Sequence, residues 1–403
     1  MEKNIVKQAQ SLQKKLIEYR RYLHANAEVG FELKKTLSFV EKSLQKMGYT
    51  PKKCGKAGLV VTVGNPSKGR GAFLLRADMD ALPLREKTDL PYACKQGNMH
   101  ACGHDMHTAM LLGAAKLLKS REKELNGQIK LLFQPAEETL EGSVDVLKSG
   151  VLSEPKVKAA MMLHVMTATE LPTGNAVVAS GGVSAPAADF FTVRVQGKGC
   201  HGSMPHKGVD ALTAAAHILI ALQEISAREI PTGEPFALTI GALHAGNAGN
   251  VIADVAEIKG TLRCFDEALR IRVKKRIEEI SSHVAKAFRG SAETLYTSGC
   301  PTLINDEKLS NFTLRTLQAL LGNESVYSSS LFGGAKNMAG GSEDFAYVSH
   351  EVLSVMVAIG AGEKEKGYAY PLHHPKVNFD ENALWVGSAV YVQTAIEWLK
   401  GEE

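Results

Sequence analysis

Apolar residues fall in two rhythms along this chain. In the first 185 positions, short apolar runs alternate with stretches of helical period. Leu37, Val40, Leu44 and Met47 recur at three- and four-residue spacing before Gly48, the pattern of a helix with a glycine stop. "GLVVTVG" (58–64) and "GAFLLRAD" (71–78) are compact runs of the kind that fill a buried strand. A helix follows in "HDMHTAMLLGAAKLLKS" (104–120), then a strand in "GQIKLLFQ" (127–134). "EGSVDVLKSG" (141–150) reads as a helix ending at Gly150, and "KAAMMLH" (158–164) as a strand. The alternation predicts an open α/β fold, a mostly parallel sheet with helices on both faces.

The rhythm changes near Pro186. "DFFTVRVQG" (189–197) alternates like a half-exposed strand, and "VDALTAAAHILIALQEISA" (209–227) is helical. "PFALTIGALHAG" (235–246) and "NVIADVAEIKGTLRCFD" (250–266) read as two adjacent strands. The amphipathic helix "EALRIRVKKRIEEISSHVAKAF" (267–288) and the strand "SAETLYTSG" (291–299) complete the order β-α-β-β-α-β. That is the ferredoxin-like α+β order, and it predicts an inserted domain over 186–299. The α/β alternation then resumes with a helix in 306–322, a strand in 352–360 and a closing helix in 381–401. The outer domain is therefore discontinuous, 1–185 and 300–403. The glycine-rich "LFGGAKNMAGGSEDF" (331–345) reads as a loop.

Composition narrows the function classes. The net charge of +4 is small and its residues are interleaved, which argues against nucleic-acid or membrane partners. The six cysteines form no close pairs, the pattern of free thiols in a reducing compartment. The N-terminal stretch lacks the apolar core of a signal peptide, and no apolar run has the length of a membrane span. The expectation is a cytoplasmic protein.

The candidate chemistry collects where strands end. In open α/β sheets, sites form beyond the carboxyl ends of the strands. Asp78 and Asp80 follow "AFLLR", Glu137 and Glu138 follow "IKLLFQ", His164 closes "AAMML", and Cys102 and His104 stand at the entry to a helix. Four separate segments thus bring metal-type ligands to one rim. Cys102 and His104 flank one glycine, so in extended chain both side chains reach the same side. Asp78 or Asp80 is either a ligand or an orienter of an imidazole. His107, one helical turn beyond His104, reads as a packing or hydrogen-bonding residue, and His100 as a loop residue without a role. The adjacent carboxylates Glu137 and Glu138 suit a site that needs one on the metal and one free to carry a proton. A mixed Cys, His and Glu set fits Zn²⁺, Mn²⁺, Co²⁺ or Ni²⁺ better than Mg²⁺ or Ca²⁺. The number of ligands points to two ions.

On these blocks the chain resembles the dinuclear metal amidohydrolases that include aminoacylases, hippurate hydrolases and indoleacetyl-amino-acid hydrolases, in their bacterial N-acyl-amino-acid branch. The resemblance runs nearly end to end through "RRYLHANAEVGFEL", "LLRADMDALPL", "HACGHDMHTAML", "LLFQPAEE", "GKGCHGSMPH", "GNVIADVAEIKGTLRCFD", "GGSEDF" and "YPLHHPKVNFDENAL". It implies that Cys102, His104, Glu138, His164 and His373 bind two divalent ions, Mn²⁺ or Zn²⁺ foremost, with Cys102 bridging. His373 is selected over His374 by the Leu-His-x-Pro pattern. Where Asp78 stands, the wider peptidase clan has a histidine ligand, and His104 would supply that imidazole here. Glu137 would be the general base and Asp80 an outer-shell aspartate. His201 would reach across a dimer interface to the scissile carbonyl, and Asn250 and Arg263 would help hold substrate.

The expected activity is metal-assisted hydrolysis of an N-acyl-L-amino acid to a carboxylic acid and a free amino acid, with the inserted domain closing over the site. The expected assembly is a homodimer or higher homo-oligomer through that domain. Three alternatives stay open: a dipeptidase or carboxypeptidase of the same chemistry, a specific N-acetyl-diaminopimelate or N-acetyl-cysteine deacetylase, and a metal-binding protein without activity.

Overall fold

The structure, a computed structural model, describes residues 2–66, 68, 71–332 and 341–401. Positions 333–340 of the glycine-rich segment lie outside them. The chain divides into two compact units. Met1–Ser184, Ile304–Ala335 and Asp344–Glu403 form one, and Ala185–Leu303 belongs to the other.

The first unit opens with helices α1 (Glu2–Ser11), α2 (Gln13–Ala25) and α3 (Lys34–Lys46). Strands β1 (Lys52–Cys54), β2 (Gly58–Gly64) and β3 (Ala72–Asp78) follow, then α4 (His104–Ser120), β4 (Gln128–Gln134), α5 (Gly142–Lys148), β5 (Val157–Met166) and β6 (Ala176–Val178). β7 (Gly182–Ala185) leads into the second unit. That unit holds β8 (Ala187–Gln196), β9 (Cys200–His201), α6 (Ala211–Glu224), β10 (Phe236–Ala245), β11 (Val251–Ile252), β12 (Val255–Cys264), α7 (Glu267–Ala287) and β13 (Ser291–Cys300). The chain returns through β14 (Leu303–Asn305), which pairs with β7. It ends with α8 (Glu307–Leu321), β15 (Val326–Ser328), α9 (Ala346–Ser349), β16 (Leu353–Gly360) and α10 (Leu384–Lys400).

One eight-stranded sheet organises the first unit, in the order β1-β2-β4-β3-β5-β16-β6-β15. Its centre, β4, β3, β5 and β16, is parallel, while β1, β2 and β6 join antiparallel. Side chains alternate between the faces. Phe73, Leu75 and Ala77 of β3, with Ile129, Leu131 and Phe133 of β4, enter the main core with α4 and α10. The intervening Arg76, Lys130 and Gln134 are buried on the second face, which α5 and α9 cover. α4 is buried almost all round because it lies between the sheet and helices α1, α2 and α10. Its contact with α10 is close: a Cβ on Gly387 would sit 2.2 Å from Met110 Sδ.

In the second unit, β10-β12-β8-β13 form an antiparallel sheet with α6 and α7 packed on one face. Phe191, Val193, Ile258 and Leu262 meet Ile218, Leu222, Val273 and Ile277 there. The segment 250–266, expected as one strand, is two. β11 turns away to pair with β9, and β12 alone joins the main sheet. Among the described residues, no helix is long and apolar enough to cross a membrane.

Candidate metal centre

β3, β4 and β5 are parallel neighbours, so their carboxyl ends share one edge, and Asp78 stands level with Gln134. The entry to α4 completes the rim. Gly103 has φ +87°, a left-handed conformation that glycine adopts without strain, and it turns the chain between Cys102 and His104. Ala136 (φ 54°) and His373 (φ 63°) hold the same conformation at two other corners of the rim.

Hydrogen bonds fix the imidazoles. His104 Nδ1 lies 2.9 Å from the Asp80 carbonyl, and His164 Nδ1 lies 2.8 Å from the Val165 carbonyl. A carbonyl can only accept, so both Nδ1 atoms carry a proton and both Nε2 atoms are turned toward the donor cluster. Cys102 Sγ is 3.5 Å from His164 Nε2. His104 Nε2 lies 3.8 Å from Glu138 Oε1 and 3.9 Å from Glu137 Oε2, and His373 Nε2 is 3.6 Å from Glu138 Oε1. Two triplets of donor atoms result, Cys102–His104–His164 and Cys102–Glu138–His373, with Cys102 in both; within each, the atoms lie within 4.8 Å of one another. A third group joins His104 to Glu137 and Glu138.

The arrangement fits a metal. Among the described residues, His104 Nε2 and Glu138 Oε1 are buried without a hydrogen-bond partner, and buried polar atoms are rarely left so. Electrostatics agree. Burial works against charge on His104, but Asp78 and the bond to Asp80 outweigh it and push its pKa well above 6.5. Burial raises the Glu138 carboxyl to about 7, opposed by His104 and helped by Asp80 and Asp78. Burial pushes the Cys102 thiol far up, with Glu138 adding to it. Burial, with His107 adding to it, lowers His164 to about 3. The acidic groups thus call for a cation at this point, and neutral His164 is ready to donate to one. The thiol, imidazole and carboxylate donors suit a borderline divalent ion.

Other expected residues fall as follows. The Asp80 carboxylate accepts the main-chain N–H groups of Glu137 (3.0 Å) and Glu138 (3.2 Å), so it shapes the acidic turn while its carbonyl orients His104. Asp78 bonds His107 Nδ1 at 2.6 Å and Arg76 at 2.6 Å. His107 Nε2 accepts the Val165 N–H at 2.9 Å, so both its ring nitrogens are occupied and it ties α4 to β5. His374 stacks on Tyr370 with ring centroids 4.4 Å apart, while His373 faces Glu138. In the second unit His201 pairs with Val251 across the β9–β11 ladder, and Gly202 N–H bonds the Asn250 carbonyl, which brings His201 and Asn250 side by side. Arg263 lies apart from them on β12, with its guanidinium over the Phe190 ring.

Arg76, Gln134, Ser143 and Asp344 were not singled out by sequence. A lone arginine inside the apolar run "AFLLRAD" and the acidic pair in "GGSEDF" were the available signals.

Comparison with known proteins agrees with this geometry. The sequence pattern of peptidase family M20/M25/M40 matches residues 74–397. An N-acetyl-L-cysteine deacetylase of Bacillus subtilis (strain 168) is 36% identical over 397 residues, 98% of this chain and 90% of that protein. A solved putative aminohydrolase from methicillin-resistant Staphylococcus aureus superposes with TM-score 0.89 at 31% identity, covering 99% of this chain and 100% of that one. The Bacillus subtilis YXEP protein, named a dinuclear metal-binding peptidase of the M20 family, superposes with TM-score 0.77 at 30% identity, covering 97% and 99%.

Proposed function

Because this chain belongs to peptidase family M20/M25/M40 and is thereby a metal-dependent hydrolase, we propose that it hydrolyses the amide bond of N-acyl-L-amino acids. The products are a carboxylic acid and a free amino acid. Cys102, His104, Glu138, His164 and His373 would hold two divalent ions, Mn²⁺ or Zn²⁺ ahead of Co²⁺ or Ni²⁺, with Cys102 shared. Bound divalent metal supplies Lewis acidity, which makes a nearby water more acidic and favours negative charge on an amide oxygen.

The division of labour between two adjacent glutamates carries the reading. Glu138 Oε1 faces His104 and His373 with no hydrogen-bond donor among the described residues. Glu137 instead receives the Asp344 N–H on Oε1 and turns Oε2 toward His104. These surroundings support Glu138 as a ligand and Glu137 as a proton carrier. Glu137 takes the proton of the attacking water and later delivers it to the departing nitrogen. Asp80 holds both glutamates through their amides. His201 donates to the tetrahedral oxyanion, and Asn250 and Arg263 hold the substrate carboxylate, for which a planar guanidinium is suited. The same reading has the chain act as a cytoplasmic homodimer.

A substrate panel on metal-reconstituted protein tests the proposal. N-acetyl and N-benzoyl amino acids should be cleaved in preference to dipeptides with a free amino end. Cleavage of dipeptides alone would move the protein to a dipeptidase or carboxypeptidase reading. Silence across the panel with Mn²⁺ or Zn²⁺ added would refute hydrolysis of this class.

A further inference from the structure

Behind the rim lies a buried polar cluster that the proposed reaction does not use. The Asp344 carboxylate has no exposure and accepts Arg76 Nη2 at 2.8 Å, Gln134 Nε2 at 2.8 and 3.0 Å, Ser143 N–H at 2.8 Å and Ser143 Oγ at 3.2 Å. The Arg76 guanidinium donates to Asp344, to Asp78 at 2.6 Å and to Gln134 Oε1 at 2.9 Å. Two carboxylates on one guanidinium, all without solvent, are a poor device for stability alone. Apolar residues of similar volume would often serve as well or better.

The cluster ends at the reacting groups. On one side, Asp78 holds His107, which accepts the Val165 N–H beside His164. On the other, the main-chain N–H of Asp344 lies 3.4 Å from Glu137 Oε1. A side chain gripped by three residues fixes the direction of its own peptide group. Oε1 of Glu137 meets that amide, and Oε2 lies 3.9 Å from His104 Nε2.

We propose that Asp344, held by Arg76, Gln134 and Ser143, is a positioning residue whose main-chain amide anchors Oε1 of Glu137 and so sets the orientation of that carboxylate. This rests on Glu137 being the general base. Orientation of such a group within a few tenths of an ångström governs proton transfer, and supporting residues of this kind are commonly worth about 10- to 100-fold.

The test uses Asp344→Asn in the full-length, metal-loaded protein. Asparagine keeps the shape but sets an NH2 against the donors of Ser143 and Gln134, so the peptide must shift. Turnover is normalised to metal-loaded subunits by measuring metal content. The expected result is kcat lower by about 10- to 100-fold, with KM and metal per subunit unchanged. Wild-type kcat per loaded subunit, whether or not the loaded fraction falls, would show a structural role only and overturn the inference. If Asp344→Asn does not fold, Gln134→Met decides by the same readouts, since it removes two bonds to Asp344 without changing charge. Glu137→Gln runs in parallel. Should it keep turnover, the general base is misassigned and this inference goes with it. If it is inactive, the Asp344 and Gln134 variants judge the positioning role alone.

Discussion

Gly103 offers a measurable link between backbone conformation and the proposed metal ligands. Two glycines of the same loop share φ +87°, Gly97 and Gly103, but their surroundings differ. A Cβ on Gly97 would meet nothing within 4 Å, whereas on Gly103 it would stand 2.4 Å from Val165 Cγ2 and 3.2 Å from two ring atoms of Phe379. Gly97→Ala therefore measures the conformational cost alone, about 1–2 kcal/mol. Gly103→Ala adds overpacking, about 1–3 kcal/mol more. The contact must open by about 1 Å to reach ordinary van der Waals distance. Something attached to a proposed ligand has to give: either Val165, whose neighbour is His164, or the Cys102–His104 corner. Chemical denaturation of the metal-free proteins should rank parent, Gly97→Ala and Gly103→Ala in falling stability. Metal titration should show Gly103→Ala weakened by about 10- to 100-fold and Gly97→Ala unchanged. Equal losses for the two alanines, or parental metal affinity in Gly103→Ala, would refute the claim that this glycine is there for packing against the ligand strand.

Cys102→Ala removes the donor common to both triplets, so metal per subunit should fall from two, measured by emission spectroscopy; full stoichiometry would strike Cys102 from the ligand set. If His201 serves the partner subunit, mixing inactive His201→Ala with inactive Glu137→Gln should restore part of the activity. No recovery in heterodimers shown to have formed would mean that it serves its own chain. His24 is buried between Asp105 (2.8 Å) and Glu86 (3.2 Å); burial disfavours its charge, but those two bonds outweigh this and raise its pKa above 6.5. A raised histidine contributes fully below its unfolded value, about 6.5, and loses that contribution as pH climbs through the folded value. The melting temperature of His24→Gln should thus fall furthest below the parent near pH 6, and the gap should narrow toward pH 9. A gap that widens with pH would reverse the assignment.

What sequence could and could not reveal follows from the range over which each residue is determined. The helix 104–120 and the strands at 58–64, 128–134 and 353–360 were legible because burial imposes an apolar run on neighbouring residues. The antiparallel joining of β1, β2 and β6 was not legible, since a buried strand has the same composition in either direction. The brief β9–β11 ladder was hidden because two-residue strands have no periodicity to display. The residues around the donor atoms divide the same way. Cys102, His104, Glu137, Glu138 and His164 stand out because each puts a donor atom at one end of an apolar segment. Arg20 and His24 look like solvated charges on a polar helix, yet both are buried, because Asp105 and Glu381 reach them from 85, 81 and 361 positions away. Arg76 and Asp344 are a stronger case, with 268 positions between them. Donor atoms are a local property of sequence. The groups that aim them are joined only when the sheet assembles, so a single sequence displays the candidate ligands and conceals the residues that would position the base.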